Sequence, residues 1–369
     1  MFPRIALLIV ALLCVLSNST RGCSVPVFRY GLEHWTPDVY EGLVFHRGEL
    51  TADQKALVEK FDPASTNTPP VNLKLRTIDL DQPDSSEWKT VWESFNEQRL
   101  PWLVVRPEPR TGINWMRFSM PFDQTALDKL VNSPARRSIV ERIANEDSVV
   151  WVLLESGDKE ADQKAADTLD TRLKYLAGVL KLPELSEADI ANGLVSVGAE
   201  GLKLKFSSIR VSREDAKEDA FVDMLLSTED DLKEINAPMV FPIFGQGRAL
   251  YTLVGNGINN ETIDQAAIFL VGSCSCEVKD QNPGVDLLMT EDWAKLVSDQ
   301  AETTTNVAKA DDKEIAPPES FQPETVTFSP KNDESAAPTS VSPAPKFNLM
   351  IPVVAILAFV AWALMRNRS

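Results

Sequence analysis

Between residues 25 and 271 short apolar runs alternate with stretches whose apolar residues recur every three or four positions, the periods of strand and helix respectively. Val25 to Tyr30 reads as a short strand. Tyr40 to Phe45 fits a strand or a helix equally well. Ala52 to Phe61 reads as a helix opened by Thr51 or Asp53. Leu73 to Leu80 alternates as a strand does, and Ser86 to Asn96 sets Trp88, Trp92 and Phe95 on one helical face. Leu100 to Val105 is a strand entered through Pro101, and Ile113 to Ser119 is another. A helix from Gln124 to about Asn145 follows, interrupted at Pro134 because proline cannot donate within a helix.

The second half repeats this order. Val149 to Leu154 is an apolar strand. Asp162 to Leu180 is a helix through Ala165, Leu169, Leu173, Leu176 and Leu180. Ser207 to Val211 is a strand and Ala220 to Leu226 a helix. Ala237 to Phe244 is a strand entered through Pro238, and Gln246-Gly247-Arg248 turns into a strand over Leu250 to Val254. Glu261 to Val271 closes the unit as a helix. The pattern predicts an α/β protein of two consecutive units, 23–147 and 148–296.

The ends of the chain change the picture. Residues 1–22 read as a signal peptide: Arg4, an apolar run from Ile5 to Leu16, then small residues at Ser17-Asn18-Ser19. Residues 347–366 read as one transmembrane helix. Leu349 to Met365 carries no charge and is long enough to cover roughly 26 Å as a helix. Arg366 and Arg368 follow it and place the C-terminus in the cytoplasm, with the body outside. Residues 297–346 read as a disordered linker, with seven prolines from Pro317 to Pro345 among Ser, Thr, Ala and acidic residues. Membrane lipid is thus one expected partner, through the C-terminal helix. The net charge of −17 argues against nucleic acid.

Several motifs carry candidate chemistry. Trp35-Thr36-Pro37-Asp38-Val39 and Ser156-Gly157-Asp158-Lys159 stand beside the first strand of each half, and Pro101 and Pro238 precede a later strand. This order resembles the thioredoxin fold over roughly Ser24 to Gly272. The resemblance implies that Pro101 and Pro238 match the family's cis-proline, with Trp35, Thr36 and Asp38 at a pseudo-active position. Thioredoxins carry two cysteines there, where a helix end lowers a thiol's pKa; neither stretch here has one. The resemblance therefore implies binding or scaffold units without dithiol exchange.

Cys14 leaves with the signal peptide, so Cys23, Cys274 and Cys276 remain. Three readings stand: Cys23 bonds to Cys274 or Cys276; Cys274 and Cys276 cycle as a strained redox pair; or all three hold a soft ion such as Cu(I). Lipidation of Cys23 is a separate option, which Arg21 disfavours. His34 and His46 are the chain's two histidines, too few for a histidine-rich centre, and each is expected to bond nearby backbone. Asp38 is expected to cap a helix. Asn260-Glu261-Thr262 is a glycosylation sequon. No cofactor and no catalytic residue is called for. The expected function is a membrane-tethered extracytoplasmic interaction protein that meets another envelope or membrane protein. The alternative is a thiol oxidoreductase or copper-handling protein using Cys23, Cys274 and Cys276.

Overall fold

The computed structural model describes residues 23–300, apart from 63, 65–68, 83–85, 96–98, 109–110, 112–117, 197–200 and 275–277. Two mixed sheets, each with helices, make it an α/β protein. The first has the order β2-β1-β3-β4: β1 (Tyr40–His46) runs parallel to β2 (Leu73–Asp79) and antiparallel to β3 (Trp102–Pro107), which pairs antiparallel with β4 (Phe118–Pro121). The second repeats those directions. There β5 (Val149–Glu155) is parallel to β6 (Phe206–Ser212) and antiparallel to β7 (Met239–Phe244). β8 (Arg248–Ala249) and β9 (Leu253–Val254) both pair with β7, and β10 (Val285–Asp286) extends the edge beyond β8.

Side chains alternate across each sheet, and both faces of both sheets are covered. Val150, Val152 and Leu154 enter a central core together with Tyr40, Val44, Leu103 and Val105 of the first sheet. The intervening Val149, Trp151 and Leu153 point the other way, into a second core. Leu43, Phe45, Trp102 and Val104 point into a third, under Trp88 and Trp92 of α3 (Ser86–Glu93). Burial on both faces is why Val149 to Leu154 is a continuous apolar run instead of an alternating one.

The helices follow local signals. α2 (Ala52–Lys60) opens with a capping box in which Thr51 and Gln54 bond each other's backbone N–H. The break expected at Pro134 is present: α4 (Gln124–Val131) ends before it, and α5 (Pro134–Ala144) starts there, capped by Ser133. α6 (Lys159–Val179) is capped by Asp158, and α9 (Asn260–Val271) by Asn259. Short helices α7 (Glu187–Ala191) and α8 (Asp219–Leu225) complete the set.

The start of the chain departs from the sequence reading. Val25 to Tyr30 is not a strand; Val27 opens the helix α1 (Val27–His34), with Pro26 at the position before it. An apolar run this short cannot separate a buried strand from a buried helix by period. The four-residue spacing of Arg29 and Glu33, which form an ion pair on one helical face, was the available signal. α1 packs into the second core, so Val25, Val27, Phe28, Tyr30 and Trp35 cover the second sheet although they precede the first. The body also runs past 296. Residues 293–300 are helical, Leu296 is buried in the central core, and Gln300 donates to the carbonyls of Ile143 and Ala144. All described residues fall in one compact unit. Among them no helix is long and apolar enough to cross a membrane; the segments 1–22 and 347–366 lie outside the described residues.

Candidate functional site

The structure does not bring the predicted pseudo-active residues together. Trp35, Thr36 and Asp38 precede β1, whereas Pro101 adjoins its far end: Phe45 pairs with Trp102, and Tyr40 with Pro107. Asp38 caps no helix. It is buried beside an ionic knot drawn from both ends of the body. Lys279 Nζ donates to Thr36 O at 2.9 Å, Asp38 Oδ1 at 2.8 Å and Asp286 Oδ2 at 2.7 Å. Arg248 donates to Asp286 Oδ1 at 2.7 Å and to the carbonyls of Asn282 and Pro283. The Asp38 N–H donates to Asp286 Oδ2, and the Tyr40 hydroxyl donates to Asp286 O. Burial pulls the Asp286 carboxyl upward, but Arg248 and Lys279 outweigh it and hold the group below its ordinary range. Burial, then Asp286 and Asp38, push the Tyr40 hydroxyl well above its usual value. With its groups satisfied and turned inward, the knot joins segments and offers no open face to a ligand.

Pro238 does adjoin a cleft. The peptide bond before Pro101 is cis, and that before Pro238 is trans. Leu154 pairs with Met239, which carries Ser156 to the side of Pro238 as the register runs on. The cleft there measures about 1010 Å³. Ala161, Ala165, Pro238 and Ile258 supply its small apolar surfaces, and Ser156, Lys164, Thr168, Asn236 and Asn256 are among its polar ones. It opens between the first halves of α6 and α9.

Two charged groups shape this mouth, Asp162 buried and Arg213 half-buried. Asp162 accepts hydrogen bonds from the N–H and hydroxyl of Ser156 at 2.8 Å and from the N–H of Gly157 at 3.0 Å. Gly157 has φ +93°, a left-handed turn suited to glycine. Arg213 donates to the carbonyls of Glu155, Ile235 and Ala237 at 2.9–3.2 Å, tying the strand before Ser156 to the residue before Pro238. Burial lowers the Arg213 pKa, with Asp162 acting against it. Among the described residues, no cysteine or histidine lines the cleft. The Ser156 hydroxyl is held by the Asp162 carboxylate, and among the described residues no imidazole lines the cleft beside it.

Cys23 and Cys274 are buried in the second core, where the Cys274 N–H donates to Val25 O at 2.8 Å. Cys276 lies outside the described residues, and with it the third member of any three-thiol site. Among the described residues no group of three or more His, Cys, Asp or Glu could hold a metal ion. His34 Nε2 lies 2.9 Å from Leu194 O and His46 Nδ1 2.8 Å from Gly48 O, the backbone partnerships expected of them. The knot and the role of Arg213 were not read from the sequence; their partners are too far apart along the chain for local spacing to signal them. No protein-family model matches this chain, and no curated protein matches it.

Proposed function

We propose that this chain is a membrane-tethered, extracytoplasmic interaction protein built on two thioredoxin-like units that do not perform dithiol exchange. Both sheets carry the order on which that likeness rests: strand, helix, parallel strand, helix, antiparallel strand entered through a proline, antiparallel strand, helix. The uncharged run from Leu349 to Met365, followed by Arg366 and Arg368, supports the tether. The observation that carries the reading is the cleft beside Pro238, lined by Ser156 and Asp158, in the stretch that the resemblance sets in the place of the family's thiols. A cleft with hydrogen-bonding walls suits holding a polypeptide segment of a membrane or envelope partner. Insulin reduction by dithiothreitol, followed with the full-length protein, tests this. The rate is expected to equal that of the protein-free control. A rate that rises with protein and is lost in Cys274→Ser would replace the binding module with a thiol oxidoreductase.

A further inference from the structure

The cleft beside Pro238 carries an excess of negative charge at its rim. Asp158, Asp167 and Glu261 line it against one cation, Lys164. Asp158 Oδ1 accepts from the N–H groups of Glu160 and Ala161; Asp167 accepts from Gln163 and Glu261 from Gln265. These donors are neutral, and none of the three carboxylates belongs to an ion pair among the described residues.

Two helix N-termini border the cleft and would by themselves favour an anion. Both are already answered from within. Asp158 caps α6, and Asn259 accepts from the N–H groups of Glu261 and Thr262 in α9. The balance at the rim is thus negative.

Size narrows the occupant. About 1010 Å³ is at the top of the range of roughly 300–1,000 Å³ typical of small-molecule sites, and this cleft is an open groove. Small residues line its floor, while Asn236 and Asn256 offer both amide donors and acceptors. Those groups match the backbone of an extended chain, and the acidic rim matches Lys or Arg side chains along it.

We infer that the groove takes an extended basic segment of a partner polypeptide, a conclusion that rests on the binding-module reading above. A library of random decapeptides panned on the full-length protein tests it. Thr168→Trp serves as the blocked groove: Thr168 is half-buried and its hydroxyl bonds only the carbonyl of Lys164 in its own helix. An unchanged melting temperature, with Thr168→Ala as a size control, establishes that the variant folds.

Peptides lost on blocking are expected to carry net positive charge. Their affinity is expected to fall about ten-fold in Asp167→Lys/Glu261→Lys and to weaken with added salt. The control Asp53→Lys/Glu59→Lys, on α2, is expected to change affinity less than two-fold, which separates the rim from the overall charge of −17. Blocking-sensitive peptides that are neutral or acidic, or that ignore the rim reversal, would overturn the charge preference and leave the groove as a binding surface. Recovery of no blocking-sensitive peptide would overturn both.

Discussion

A chain shortened to begin at Val39 is expected not to fold into a stable body. The missing residues include Val25, Val27, Phe28, Tyr30 and Trp35, all buried in the core of the second sheet. At about 1.5–3 kcal/mol for each buried apolar side chain, the loss is about 8–15 kcal/mol. That is of the order of the whole stability of a domain, about 5–15 kcal/mol. The truncation also removes the pairing of Val27 N–H with Gly272 O and of Cys274 N–H with Val25 O, and it takes Thr36 and Asp38 away from Lys279. Loss of near-ultraviolet circular dichroism and of a cooperative thermal transition is the expected readout. A shortened chain melting within a few degrees of the intact one would mean that α1 is an appendage and that the two sheets need no shared N-terminal segment.

Asp286→Ala is expected to cost about 3–5 kcal/mol, the range for removing one partner of a buried ion pair. Its carboxylate is 5% exposed and faces both Arg248 and Lys279, neither of which can reach water fully once it is gone. By contrast, truncating Lys203, half-exposed beside Glu146, should cost less than about 1 kcal/mol. The effect depends on pH. Folding lowers the Asp286 pKa, so its contribution is fully present above the unfolded value of about 3.9 and is lost as pH falls through the lower folded value. Denaturant midpoints measured from pH 7 downward should therefore show the gap between the intact protein and Asp286→Ala narrowing below about pH 4. A gap that stays constant to pH 2, or a cost under about 1 kcal/mol at pH 7, would assign the knot no stabilising role.

What could be read from the sequence follows the range of the interactions. Strand β5 was legible because Val149 to Leu154 is a six-residue apolar run rich in β-branched valine, a composition that favours a strand buried on both faces. The break before α5 was legible because Pro134 and Ser133 act within one turn. Pro238 was legible as an entry to β7, and the neighbourhood of Ser156 followed from the repeat. Tyr40 to Phe45 was ambiguous because it, too, is buried on both sides and offers no alternation. Trp35 to Asp38 misled for a different reason. Its resemblance to an active-site stretch is local, whereas its partners Lys279 and Asp286 stand more than 240 residues away, where no period or spacing reaches. Ser298 to Gln300 are polar and give no sign in the sequence of belonging to the body, yet Gln300 is fixed by the end of α5.

A binding module without dithiol exchange requires Cys23 and Cys274 to stay enclosed in the core of the second sheet, away from the cleft beside Pro238. Alkylation of the native full-length protein by iodoacetamide, mapped by mass spectrometry before and after unfolding, measures this directly. Cys23 and Cys274, 6% and 1% exposed, are predicted to stay unmodified in the native protein over hours. Modification of either within minutes, under conditions where the fold is intact, would put a reactive thiol at the surface and contradict the account.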